Sequence, residues 1–468
     1  MIYINKGVTV LREIKCRLES KEIYLISILL YFLIIPRILA YLSCNCYGIA
    51  AVDATDRYFP QVEKLEESFF NFFALTGPAY SAILYFFKNM FNDMITGTVI
   101  LQHVAGVVSG VLTFFFFKRT NKWLAFLTSI LVYSSQRSAI IEHFILRDSL
   151  TAFLLILLIV LFLAPRTRYF INDWPMLSGI VGGIIGMALV FMRIEYIVLI
   201  IALPLGHIIK RCRFDRQLLN SGDAKYIVGY FLPLLIVITV YVTVKDKYAF
   251  QQYSGTYFNI AYHSLDPSVF NYKGSRHPEL LKVYQNILRE NENVSQSMSY
   301  LYDATRGYLS QHQEINLTLH QLMDRMFVEM IFKNPLGYLK SYFVNLKNMM
   351  VGNAYLESMR SFPKASFFTK CIYGSLSFPT YIFDQKTINR IIVCFFVVGI
   401  PYLLLKSKQC DFVVFISAFI TVFQLLLLAF IANPVARFRY PVDPLLYFPA
   451  LYGFYSIVRT KPNIKVTM

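Results

Sequence analysis

The sequence predicts an all-α polytopic membrane protein, and three observations predict it. Of 468 residues, 56% are hydrophobic and only 16% carry charge, a balance outside that of water-soluble domains. Apolar runs of near-spanning length recur from residue 23 to residue 457. Basic residues collect in the short segments between those runs, as they do in cytoplasmic loops. The net charge of +17 therefore reflects loop composition, and nucleic acid is not an expected partner.

Taken in order, the elements follow from hydropathy and basic loops. Residues 1–22, with Lys6, Arg12, Lys15, Arg17 and Lys21, belong in the cytoplasm. Ile23 to Ser43 is too long for a signal-peptide core and reads as a retained outward span. The following loop, 44–76, is acidic. Gly77 to Phe91 is short for a crossing and is interrupted by Lys88, so it reads as an interfacial or re-entrant helix. Ile95 to Phe117 then runs inward to Lys118, Arg119 and Lys122, and Trp123 to Ile140 runs outward. Ser149 to Ala164 (inward), Pro175 to Met192 (outward), Ile194 to Ile209 (inward) and Tyr226 to Val244 (outward) follow. After a long polar outer segment, Ile391 to Leu405 runs inward, Phe412 to Ala432 outward and Tyr440 to Ile457 inward. The reading has about ten spans with both termini cytoplasmic. Counting 77–91 as a span would invert most basic loops.

Three regions result: an N-terminal transmembrane module (1–245), an outer amphipathic helical segment (246–385) and C-terminal transmembrane helices (386–468). Within the second, 278–290 and 321–350 have the spacing of amphipathic helices, and Asn334 to Lys340 opens one with the aromatic and basic residues of a membrane interface. Phe367 to Phe383 is either another re-entrant element or part of a hairpin. Gly179, Gly182, Gly183 and Gly186 have the small-residue spacing of closely packed helices. The cysteines form neither a disulfide framework nor a zinc pattern. No Gly-rich phosphate loop is present.

The rare charges beside or inside apolar runs all fall on the outer side of this topology. They are Asp53, Asp56, Glu142, Asp148, Arg193, Glu195, Arg437 and Arg439. Ionisable groups at membrane depth are costly and mark functional sites by default. Carboxylates there can take a proton from an attacking hydroxyl. Arginines can hold a departing phosphate in a bidentate way. Each residue also has a plain structural reading. A loop aspartate is usually just solvated; Arg147, Arg437 and Arg439 have the alternative of snorkelling to head groups. Arg37, beside Pro36, reads as such an anchor, and Arg193 with Glu195 as a structural pair. Gln102 and His103 read as interhelical hydrogen-bond partners rather than ligands.

In this order the motifs resemble the GT-C fold glycosyltransferases that use polyprenyl-phosphate sugars, in particular the protein mannosyltransferase, aminoarabinose transferase and rhizobial lipopolysaccharide transferase group. Asp53-Ala54-Thr55-Asp56-Arg57-Tyr58 stands where the family has an acidic first outer loop, and Gly77-Pro78-Ala79-Tyr80 is similar to its entry to the next helix. Leu146-Arg147-Asp148-Ser149-Leu150 resembles an acid-Ser-Leu span start. Phe191-Met192-Arg193-Ile194-Glu195 resembles its Arg-Pro-Glu element, with Ile194 in place of Pro. Asn334-Pro335 with Tyr338-Leu339 resembles its Asn-Pro-x-x-Tyr-Leu helix, and Arg437-Phe438-Arg439-Tyr440-Pro441 with Pro444 its closing element. The family's acid-to-Tyr spacing fits neither Asp53 nor Asp56 cleanly.

The resemblance implies a GT-C-like helical bundle acting as an inverting glycosyltransferase on the periplasmic or lumenal face. It implies Asp56 or Asp53 as catalytic base. Asp148 or Glu142 would be a second acid contacting sugar or metal, and Arg437, Arg439 and Arg193 would bind the donor phosphate. The implied partners are a polyprenyl-phosphate-linked sugar, a glycan, lipid or protein acceptor, and membrane lipid. No cofactor is required; the acids are compatible with a divalent metal but do not demand one. Composition favours a bacterial inner membrane. The alternatives are an O-antigen polymerase or ligase and, from another class, a lipid-linked glycan transporter or flippase.

Overall fold

A computed structural model describes residues 20–43, 58–68, 71–72, 75, 78–163, 174–193, 196–209, 211–212, 219–244, 267–290, 294–351, 385–405, 411–431 and 436–459. Among the described residues there are helices and no strand. Three helices are long and apolar enough to cross a membrane: Glu22–Leu42, Met94–Tyr133 and Pro175–Met192. Large apolar side chains such as Leu42, Val397 and Val398 face outward on these and the shorter apolar helices. That belt is compatible with a lipid surround.

The chain begins with α1 (Ser20–Ser43), α2 (Phe59–Glu67) and α3 (Pro78–Phe91), followed by α4 (Met94–Tyr133). Asp93 caps α4, its carboxylate accepting from the Ile95 and Thr96 backbone N–H groups. Asn92 makes the tight turn from α3 with φ of 53°. α4 is two helices joined at Asn121, whose backbone is extended there (φ −160°, ψ 110°). The Asn121 side chain accepts from Trp123 and Leu124 N–H groups and so starts the second half. The break therefore falls between the two spans expected from hydropathy. The second half stops at Tyr133, short of Ile140, because Ser135 and Ser138 hydroxyls turn back onto the Val132 carbonyl. A separate short helix, α5 (Gln136–His143), follows.

Next come α6 (Asp148–Leu163), α7 (Pro175–Met192), α8 (Ile197–Ile209) and α9 (Ser221–Val244). Contacts fix their directions. Lys118 meets Glu22 at one end while Leu33 lies against Gly110 and Arg37 against Gly106 towards the other, so α1 and the first half of α4 are antiparallel. α7 and α9 run parallel and touch backbone to backbone. A Cβ on Gly179 would lie 2.1 Å from the Tyr226 carbonyl oxygen, and one on Gly183 2.3 Å from that of Tyr230. The glycine stripe is thus the close-packing seam its spacing predicts.

The C-terminal part comprises α10 (Pro278–Glu290), α11 (Val294–Gln311), α12 (Leu319–Lys333), α13 (Pro335–Val351), α14 (Gln385–Leu405), α15 (Phe412–Ile431), a 3-10 turn (Ala436–Val442) and α16 (Asp443–Arg459). α14 and α16 cross at Gly399 and Gly453, where neither position has room for a Cβ. α10 to α12 enclose their own core, including Leu280, Tyr284, Leu322 and Met326, separate from the large core of the apolar helices. The amphipathic helices expected over 278–290 and 321–350 are present. The stretch Phe367 to Phe383 lies outside the described residues.

α3 behaves as its length suggests. At 14 residues it extends roughly 21 Å, short of a hydrocarbon core. Tyr80 near its start bonds Gln102, while Phe87 packs on Gly97 and the chain turns into α4 at Asp93. The helix therefore lies beside only the first turns of α4.

Candidate functional site

One end of the bundle gathers the polar groups. The end of α1, the start of α4, α5, the starts of α6 and α16, and the end of α7 meet there. Glu142 is its centre and is wholly buried. Its carboxylate accepts from Arg37 twice, Nε to Oε2 at 2.6 Å and Nη2 to Oε1 at 2.5 Å. His103 Nδ1 lies 3.1 Å from Oε2, and the Tyr440 hydroxyl donates to Oε1 at 3.2 Å. A carboxylate offers about four lone-pair positions, and these partners take two on each oxygen. Gly106 makes room: a Cβ there would sit 2.1 Å from Oε1. Gln102 braces the same turn, donating to the Glu142 and Phe144 carbonyls and accepting from Tyr80. His103 Nε2 faces His143 Nδ1 at 3.3 Å.

Two further ion pairs flank this centre. Arg193, at the C-terminal cap of α7, donates to Asp148 Oδ1 at 2.8 Å, and both are buried. Arg147 holds the Met192 carbonyl at 2.8 Å, tying the same two strands of chain together. Arg439, fully buried, donates to Asp443 at 2.6 Å, to Asn389 Oδ1 at 2.8 Å and to the Met350 carbonyl. Tyr447 shares the Asn389 oxygen. Each described acid here is matched by an arginine, the only economical way to keep both charged away from water.

Of the residues singled out by sequence, Asp53, Asp56 and Glu195 lie outside the described residues, as does the side chain of Arg437. Glu142, Asp148, Arg193 and Arg439 come together at one end. One structural reading changes. Arg37 is no snorkelling anchor: it is buried and clamps Glu142 across 105 residues of sequence. Arg193 pairs with Asp148, and its expected pairing with Glu195 falls outside the described residues. Gln102 and His103 are the interhelical hydrogen-bond partners expected. Sequence reasoning missed Arg37 and Tyr440 as members of the cluster. The signal for Arg37 was present, since an arginine within an apolar run needs a partner.

The chemistry follows from this saturation. The Glu142 carboxylate has its acceptor positions filled by Arg37, His103 and Tyr440. Asp148 has one oxygen committed to Arg193. Among the described residues no three His, Cys, Asp or Glu side chains are grouped to hold a metal ion. A connected path crosses the site: Tyr58 packs edge-on against Tyr80 at 4.7 Å, Tyr80 bonds Gln102, Gln102 holds the Glu142 carbonyl, and the Glu142 carboxylate meets Tyr440. Its ends are two residues after Asp56 and one after Arg439. No family model, no curated protein and no solved structure matches this chain.

Proposed function

We propose that this protein is an integral-membrane glycosyltransferase of GT-C type, with about ten spans in a bacterial inner membrane. It moves a sugar from a polyprenyl-phosphate donor to an acceptor hydroxyl at the periplasmic face. The observation that carries the reading is the path from Tyr58 to Tyr440, an aromatic contact followed by hydrogen bonds, which links the flanks of the acidic first loop and of the arginine-rich closing element. The Asp148–Arg193 pair adds the third and fourth motifs of the same series.

In this reading Asp56, or Asp53, takes the proton of the acceptor hydroxyl. The freed oxygen attacks the anomeric carbon from the face opposite the phosphate, the carbon–oxygen bond to the lipid phosphate breaks, and the configuration inverts. Arg437 meets the departing phosphate. Arg439 and Arg193, each already holding an acid, fix the local backbone and contribute positive charge. Residues 246–385 cover the site and select the acceptor.

The test is transfer of labelled sugar from undecaprenyl-phosphate donors in membranes carrying Asp56→Asn, Asp53→Asn or both. Loss of the base lowers transfer by about 10²–10⁴-fold. Full transfer by both single variants and the double variant sinks the assignment. Loss on Arg437→Gln with the aspartate variants intact points to a polymerase or ligase instead.

A further inference from the structure

Helices α10 and α13 both lie in the segment between the apolar N- and C-terminal helices, yet their outward faces differ in kind. α10 buries Leu280, Leu281, Tyr284 and Leu288 and turns Lys282, Asn286, Arg289 and Glu290 to the outside. α13 buries Tyr338, Ser341 and Asn345 and turns out Leu336, Leu339, Phe343 and Val344. The ridge begins on the end of α12, where Phe332 is 79% exposed, and continues through Leu336 at 78% and Phe343 at 61%. Lys340 and Lys347 are exposed on that same face of α13. Helical geometry sets them between Leu336 and Val344, about 20–40° round from Leu336.

Two observations say what covers this ridge. α13 is seated against the apolar helices: it packs on α14 and α15, and the Tyr342 hydroxyl donates to the Leu426 carbonyl of α15 at 2.9 Å. Its exposed apolar face therefore continues the outward apolar belt of α15, where Phe419, Val422 and Leu426 are exposed. The paired lysines within the ridge are the complement of an anionic surface. Long basic side chains rise from an apolar helix face to meet phosphate while their stems stay buried.

The geometry points to a lipid-docking surface on α12–α13 that takes the acidic phospholipid headgroups and upper acyl chains of the leaflet at the Glu142 end. The contact reaches the candidate site directly, because α13 supplies the Met350 carbonyl that holds Arg439. The inference does not rest on the transferase reading, and its test needs no enzymatic readout.

The experiment places a single tryptophan at position 343 (Phe343→Trp) in the full chain, with Trp123→Phe and Trp174→Phe removing both native tryptophans. The protein is reconstituted into vesicles containing brominated phosphatidylglycerol or brominated phosphatidylcholine at equal fraction. Asn286→Trp on α10, in the same background, is the aqueous control. Strong bromine quenching at 343 but not at 286 is expected, greater with the acidic lipid. Lys340→Gln with Lys347→Gln should remove that excess, about fivefold in local enrichment per lysine, and leave apolar quenching in place. Leu336→Trp gives an independent reporter should the 343 variant misfold. Quenching at 336 and 343 no stronger than at 286 overturns the docking surface. Quenching without acidic preference, or a preference the lysine changes leave intact, overturns its headgroup specificity.

Discussion

The two ends of the helical bundle solve the same electrostatic problem in different ways. At the Glu142 end, three arginine–acid pairs are buried and two of them join elements far apart in sequence: Arg37 to Glu142 and Arg193 to Asp148. At the Asn121 end each pair has one partner nearer the surface, although Asp223 itself is buried. Glu22 is part exposed opposite Lys118, Thr120 bonds Asp411, and Asp223 accepts from Arg211 within a capped helix start. Glu22, Arg211 and Asp411 can keep partial contact with water, so their pairs are screened and add less. Charges at the Glu142 end cannot, and a broken pair there leaves an ion without solvent. Buried pairs of this kind are weak devices for stability but strong ones for geometry, which fits an end that must hold several loops in register.

The comparison breaks most sharply at Arg37. Arg37→Ala leaves the Glu142 carboxylate without its cation, and a cost of about 3–5 kcal/mol is expected. Thermal unfolding in detergent should show it. The double change Arg37→Met with Glu142→Met removes both charges and should recover most of the loss. If the single and double variants unfold alike, Glu142 is not held by this pair. A smaller effect tests the space around it. Gly106→Ala pushes a methyl group into Oε1 and forces the carboxylate to shift, for about 1–3 kcal/mol. Gly222→Ala at the other end meets only the Asn220 side chain, at 3.1 Å, and should cost less.

The smallest effect belongs to Asp223. Burial by itself raises this carboxyl, but the Asn220 backbone, Arg211 and His207 together outweigh it and hold the group below the ordinary carboxylate range. A lowered folded value means that the charged form stabilises the fold above the unfolded value, about 3.9. That contribution disappears as pH falls through the folded value. The unfolding temperature of the native protein should therefore drop more steeply than that of Asp223→Asn on acidification below pH of about 4. Parallel curves would show that the cap carries no charge linkage.

Much of the architecture was readable from residue order. The break between Phe117 and Trp123, the short α3 and the glycine seam of α7 all sit where hydropathy, length and small-residue spacing put them. Gln102 and His103 were readable because a polar group in an apolar helix must find a bond. The identity of their partners was not. Nothing in the neighbourhood of residue 37 names residue 142, and nothing near 193 names residue 148. Arg439 was read as an anion ligand from its motif, and its bonds to Asp443, Asn389 and the Met350 carbonyl became visible only with α13 and α14 in place.

Sequence alone determined which segments are apolar, where helices begin and break, and that costly charges cluster near a few helix ends. Those properties are sums over neighbouring residues, since the transfer energy of a segment depends on its own composition. Tertiary structure alone decided which arginine neutralises which acid, that Glu142 is saturated, and that the ridge on α12–α13 faces outward beside α15. Such outcomes depend on separations of a few ångströms between residues distant in the chain, and hydrogen bonding and Coulomb energy change steeply over that range.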